Sequence, residues 1–191
     1  MRRIATAGAS GGYSLRIRSD APLDEDGHEL ALQAGALAIV APPPEQAEFA
    51  DKLAAIGCVH VLTAGEALQD RYDFAARTRL LIDRGATVAL ASGYGSVGCA
   101  TSNPQFLLYL AASRFGMSAE EAICAATWNA ACSLRMSHVT GSLEPGKSAD
   151  VLIMDVHDYR ELGRRAGHND IQLAMRAGQT IYRRAAVGAT D

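Results

Sequence analysis

No apolar run in this chain reaches the ~20 residues that a membrane span requires, so no membrane partner is expected. The opening Met1-Arg-Arg-Ile-Ala-Thr-Ala-Gly8 has basic residues but no continuous apolar segment behind them, so no secretory leader is expected. Neither sign of charge dominates. With 18 Lys and Arg against 21 Asp and Glu, there is no broad basic field to hold nucleic acid or an anionic surface. Short arginine pairs such as Arg164-Arg165 and Arg183-Arg184 read as solvated surface. Cysteine is sparse: Cys58, Cys99, Cys124 and Cys132 are scattered, without Cys-x-x-Cys and without Cys/His zinc-finger spacing. Reduced thiols in a cytoplasmic protein are therefore expected. Cys124 and Cys132 lie in an Ala-rich helical pattern and read as small core residues. There is no internal repeat, no low-complexity tract and no His-x-His. What remains is an ordinary globular composition, 49% hydrophobic and 20% charged over 191 residues, enough for one domain with a buried core.

The chain divides by periodicity. Tyr13 to Arg18 alternates and predicts a strand, followed by a loop over Ser19 to Asp26. Gly27 to Ala34 predicts a short helix with Gly35 as its stop. Ala36-Leu-Ala-Ile-Val40 is the continuous apolar run of a buried parallel strand, ended by Pro42-Pro-Pro44. A helix over Glu45 to Ile56, a strand over Cys58 to Leu62, helix over most of Ala64 to Arg84 and a strand over Thr87 to Ala91 follow. Four strands alternating with helices predict parallel βαβ crossovers. After Asn103 come a helix over Pro104 to Phe115 and a second from the capping box Ser118-x-x-Glu121 to about Leu134. Gly141 to Gly146 is a turn, and strands are predicted over Ala149 to Asp155 and Gly178 to Arg183.

The second half carries a signature. Met117-Ser-Ala-Glu-Glu-Ala122, Ala125-Ala-Thr-Trp-Asn-Ala130, Gly141-Ser-Leu-Glu-Pro-Gly-Lys147, Ala149-Asp-Val-Leu-Ile-Met-Asp155, Asp158-Tyr-Arg-Glu-Leu162 and Gly178-Gln-Thr-Ile-Tyr182 together resemble the metal-dependent amidohydrolase superfamily, in its imidazolonepropionase branch. Weaker similarity reaches back to about residue 14. The resemblance implies a (β/α)8 barrel beside a small β-sandwich, with chemistry at the carboxyl ends of the strands. It also implies that the chain begins just before the family's fifth strand. The fold expected is therefore α/β: a partial, half TIM-type barrel of about four parallel βα units, a helical segment and short strands from the sandwich. The division expected is a half-barrel over residues 1–135 and a tail over 136–191 packed on it. The family's strand-end metal ligands, a His on the fifth strand, often a His on the sixth and an Asp on the eighth, would fall on Arg18, near Ala41 and on Gly93. Those three residues cannot assemble a metal site, so no metal and no cofactor is expected.

Several residues have two readings at this stage. Arg18 and Asp20 close the first strand: anion binding with general acid–base work, or a surface salt bridge. His60 is mid-strand: an acid–base group in a barrel-like cavity, or a neutral, hydrogen-bonded core histidine. Ser92-Gly-Tyr-Gly-Ser96 follows the fourth strand. Its glycines allow close backbone approach and Tyr94 offers a proton, but no Gly-Lys-Ser/Thr follows it, as a phosphate loop requires. Ser92, Gly93, Ser96 and Asn103 are candidate substrate contacts, with a plain helix N-cap as the other reading of Asn103. His28, His138, His157 and His168 read as surface, and Trp128-Asn129 as packing with a local hydrogen bond. No Ser/His/Asp set follows from spacing. Four strands leave two open edges, so a homodimer is expected, unless the chain's own tail covers them. The functional expectation is a metal-independent small-molecule enzyme for cyclisation, isomerisation, dehydration or C–N hydrolysis, using Arg18, Asp20, His60 and Tyr94. A non-catalytic small-molecule-binding protein and one half of a split amidohydrolase are the alternatives.

Overall fold

The computed structural model describes residues 8, 10–68, 72–95 and 101–185. Two sheets organise it. The first is parallel, in the order β1 (Arg16–Arg18), β2 (Ala38–Val40), β3 (Val59–Thr63), β4 (Val88–Ala91). The second is antiparallel, in the order β5 (Val151–Met154), β6 (Ile171–Arg176), β7 (Gln179–Arg183). The parallel strands are strung together by α1 (Glu25–Gln33), α2 (Ala47–Ile56), and the pair α3 (Ala64–Ala67) and α4 (Phe74–Asp83). Then α5 (Pro104–Ser113), α6 (Ala119–Ala126) and α7 (Trp128–Ser133) lead to the small sheet. Four parallel strands in sequential order, joined by helices, give the α/β class with a parallel sheet that the sequence implies.

Local chemistry explains the boundaries. Asp24 caps α1 by accepting from the Gly27 amide at 2.8 Å, so the helix starts two residues before the predicted Gly27. Gly57 ends α2 at φ +65°, a left-handed conformation that a residue without Cβ adopts freely. Ser118 and Glu121 form the predicted capping box at the start of α6. Two predicted helices are broken. Ala64 to Arg84 becomes α3 and α4, the latter with its own cap at Asp73. The helix from Ser118 breaks at Thr127, whose φ of −119° and ψ of −85° are not helical. Strand β6 was not predicted at all, although Ile171, Leu173 and Met175 alternate with Gln172, Ala174 and Arg176.

Register sorts the side chains onto two faces. Ile39, His60 and Val88 are in register, as are Val40 and Val61, and Val61 and Ala89. Ile39, Leu62, Val88 and Leu90 pack with Leu53, Leu81, Leu107 and Phe115 of the surrounding helices, which is the main core. Ala38, Val59, Val61 and Ala89 form the other face, covered by Ala130 and Cys132 of α7. Asn129 fixes that helix by donating to the Val88 carbonyl at 2.8 Å, a tertiary bond made beside the expected local one, in which its Oδ1 accepts from Cys124 Sγ at 3.7 Å. Arg16 donates to the Ser133 carbonyl from the far edge. So the chain's own α7 covers the inner face of the four-stranded sheet. Among the described residues, no helix is long and apolar enough to cross a membrane.

Candidate functional site at the strand ends

The carboxyl ends of the parallel strands gather five of the predicted residues, Arg18, Asp20, Ser92, Gly93 and Tyr94, and one that was not predicted. Arg18 is in register with Val40, and Val40 with Val61, so its side chain belongs to the inner face. Its Nη2 lies 3.7 Å from Asp20 Oδ1, and the two side chains are 54% and 82% exposed, a solvated and weak ion pair. Thr63 and Ala91 are in register, so the segments leaving β3 and β4 stand side by side. The one contains Glu66, the other Ser92, Gly93 and Tyr94. Gly93 has φ +61° and Gly95 φ +81°, which fold this loop back on itself. The Tyr94 amide donates to Ser92 Oγ at 3.3 Å, and the Tyr94 ring is 68% exposed.

Glu66 is the residue that sequence reasoning missed. It is half-buried one turn past Thr63, and its Oε2 accepts from the Thr63 amide at 3.0 Å. Thr63 and Glu66 form a capping box at the start of α3. The signal was present as Thr-x-x-Glu directly after an apolar strand. Burial pushes the Glu66 carboxyl above its ordinary range, more than the Thr63 bonds and the nearby Arg18 charge pull it down, while Asp20 pushes it further up.

The other predicted residues lie elsewhere. His60 is fully buried, but on the helix side of the sheet with Ile39 and Val88, opposite to the face of Arg18. Its Nε2 donates to the Ala41 carbonyl at 2.8 Å, while Nδ1 is buried without a partner. Burial holds its pKa down at about 4, with a smaller contribution from His28. The core reading of His60 therefore fits its placement, and the cavity reading does not. The reason is strand parity, since one residue's step along β3 moves a side chain to the other face. Asn103 caps α5, its Oδ1 accepting from the Gln105 amide at 2.9 Å. Ser96 lies outside the described residues, as does Cys99.

Two surface or core assignments also change. His28 is buried in α1, stacked on Phe49 at 4.0 Å between ring centroids, rather than at the surface. Cys124 is exposed rather than in the core, because α6 turns that side outward. Cys58 is buried, and burial raises its pKa to about 11, which makes it a poor nucleophile.

A divalent metal does not fit this donor set. Among the described residues no three His, Cys, Asp or Glu side chains converge. At the strand ends stand a guanidinium (Arg18), a methyl group (Ala41) and a glycine (Gly93), and the Ala41 carbonyl is engaged by His60. What the arrangement offers instead is a cation, a half-buried carboxyl and loop hydroxyls at one end of one sheet.

The comparisons agree with this architecture. The model of the amidohydrolase family matches residues 23–181. The chain is 33% identical over 180 residues to the imidazolonepropionase of Brevibacillus brevis, covering 94% of this chain and 42% of that protein. It is 34% identical over 182 residues to that of Geobacillus kaustophilus, again 94% of this chain and 42% of the relative. Among solved structures it resembles an amidohydrolase from Thermotoga maritima, with TM-score 0.67, 19% identity, and 91% and 44% of the two chains covered. It also resembles the atrazine chlorohydrolase of Arthrobacter aurescens solved with zinc and atraton, with TM-score 0.72, 18% identity, and 96% and 48% covered. The chain thus spans less than half the length of these relatives. It belongs to the amidohydrolase family.

Proposed function

We propose that the strand-end face bearing Arg18, Asp20, Glu66 and the Ser92–Tyr94 loop is a small-molecule site, and that the protein is a metal-independent hydrolase of a C–N bond in a cyclic amide. The observation that carries this reading is the half-buried Glu66 carboxyl at the end of β3, within the field of Arg18. A carboxyl held above its ordinary range is a stronger base when ionised, and it keeps a protonated fraction nearer to neutral pH. As base, Glu66 takes a proton from water as the water oxygen bonds to the ring carbonyl carbon. The Arg18 guanidinium, whose ion pair to Asp20 is exposed, meets the negative charge that develops on the carbonyl oxygen. The C–N bond then breaks as the protonated Glu66 returns its proton to the ring nitrogen. Tyr94, exposed at the rim, stacks on the ring. The relatives' imidazolonepropionase activity supports the choice of a cyclic amide.

The test is turnover of imidazolone propionate and a panel of small lactams and cyclic ureides, followed by absorbance and NMR, with and without chelator. Expected are turnover that a chelator leaves intact and a loss on the order of 10²-fold or more in Glu66→Gln, with one limb of the pH–rate profile removed. Unchanged turnover in Glu66→Gln, or turnover only with added metal, overturns the mechanism. A second reading, a binding protein without turnover, is favoured by the exposed Arg18–Asp20 pair, which is not preorganised as a catalytic dyad is. Saturable binding that Arg18→Met abolishes, with no product formed, would select it.

A further inference from the structure

Where α6 breaks into α7 at Thr127, the helices and the small sheet enclose a cavity of about 650 Å³. It is walled by α5, α6, α7, the turn around residues 140–143 and β5. Arg18, Asp20, Glu66 and the Ser92–Tyr94 loop do not line it, so it is separate from the strand-end face. Its volume lies within the roughly 300–1,000 Å³ of small-molecule pockets. Residue size explains the space. Ala126, Ala130 and Ala131 present single methyl groups to it, while Leu108, Ile123 and Leu162 stand around them. Met136 and Met154 add flexible thioethers that adapt to the shape of a guest.

What the cavity can hold follows from what its polar side chains already do. Gln105 donates to Asn169 Oδ1 at 3.0 Å and accepts from the Asp170 amide at 2.8 Å. The Thr127 hydroxyl donates to the Ile123 carbonyl at 2.7 Å, and the Thr140 hydroxyl to Asp150 Oδ2 at 3.0 Å. Ser142 donates to Glu144 and accepts from Lys147, both at 2.5 Å. Asp150 Oδ1 accepts from the Ala177 amide at 2.8 Å and the Ser148 hydroxyl at 2.9 Å. Among the described residues, no cationic and no aromatic side chain lines the cavity. The charge on its wall is thus the negative one of Asp150, already engaged by three donors. A ligand carboxylate or phosphate finds no counter-charge there, and burying a charge without a partner is costly. An uncharged ligand meets aliphatic walls and gives up only water. Leu143 and Leu152, 76% and 53% exposed on this lining, are apolar surface that such a ligand removes from solvent.

We propose that this cavity binds an uncharged, hydrocarbon-rich small molecule. The proposal does not rest on the chemistry assigned to the strand-end site.

The test uses two fluorescent probes that share one ring system, N-phenyl-1-naphthylamine, which is uncharged, and its sulfonate, 8-anilinonaphthalene-1-sulfonate. Titrated into the full chain, the uncharged probe should bind saturably at one per chain, and the sulfonate at least about tenfold more weakly. Ala126→Phe, which puts a ring into the cavity from a half-buried position, should abolish binding of the uncharged probe, whereas Arg18→Met should bind it as the unmodified chain does. Methyl chemical shifts of Leu108, Ile123 and Met154 should move on titration of the unmodified chain, which decides the matter if a variant misfolds. Absence of saturable binding is the result that the chain's own terminal residues or a second copy lying in the cavity would give, and it overturns the proposal. So do equal affinity for the two probes, full binding by a folded Ala126→Phe, or shifts confined to residues away from the cavity.

Discussion

His60 makes acid sensitivity a measurable consequence of strand parity. The imidazole is 1% exposed on the helix side of β3. Its Nε2 proton is engaged by the Ala41 carbonyl, and its Nδ1 has no acceptor to receive a second proton. Burial lowers its pKa from 6.5 to about 4. The sign follows directly. Above the unfolded pKa, both folded and unfolded chains hold a neutral ring, and the group costs nothing. As the pH falls through the window from 6.5 to about 4, the unfolded chain takes up the proton and the folded chain does not, so stability is lost. At about 1.4 kcal/mol per pH unit, the whole window is worth about 3 kcal/mol, and the interval from pH 7 to pH 5 about 2 kcal/mol. That is a large share of the 5–15 kcal/mol typical of a domain. Urea unfolding at pH 7 and pH 5, monitored by circular dichroism, should therefore show His60→Gln losing about 2 kcal/mol less than the unmodified chain between the two conditions. The amide of glutamine can still donate to the Ala41 carbonyl and does not titrate here, so the comparison isolates the proton. His28, whose pKa is also lowered by burial, contributes the same sign in both proteins and cancels apart from its smaller charge coupling to His60. If both proteins lose stability equally, the ring is reaching solvent or an acceptor, and the packing of β3 against the helices is wrong.

Two further outcomes test the packing around α6 and α7. Gly141 has φ +94°, and a Cβ there would stand 2.7 Å from the Ala131 Cβ and 3.0 Å from the Thr127 carbonyl oxygen. Gly141→Ala should cost about 1–3 kcal/mol or more, read as a shift in the urea midpoint, and an unchanged midpoint would mean that the turn does not close on α7. Glu121 caps α6 through the Ser118 amide at 2.8 Å and receives both 2.8 and 2.6 Å bonds from Arg79 Nη1 of α4. Glu121→Ala should lower stability by about 1 kcal/mol, mostly through the cap because the ion pair is partly solvated. A double-mutant cycle with Arg79→Ala should find a coupling of a few tenths of a kcal/mol, and a coupling of several would refute that division.

The sequence by itself determined the elements and their kind. Apolar runs such as Ala36 to Val40 and the glycines that end the helices mark parallel βα units, because backbone freedom and burial act locally. The Gly141 to Lys147 signature carries the family, and Ser118 with Glu121 carries a helix start, since both are patterns of neighbours. Where local signals compete, reading from the chain fails: the Ser118 helix is interrupted at Thr127, and β6 was passed over within a stretch rich in Arg and Gly.

Only the tertiary structure decided what each side chain faces. His60 and Val61 are adjacent in sequence but lie on opposite sides of the sheet, so a candidate acid–base group became a core histidine. Glu66 went unread in the sequence, because only the packing of β1, β3 and β4 places it at the strand ends, partly out of water and near Arg18. Which helix covers the inner face likewise depends on contacts between distant residues such as Asn129 with Val88. Burial and charge at a site are sums over neighbours in space, and folding brings those neighbours together from opposite ends of the chain.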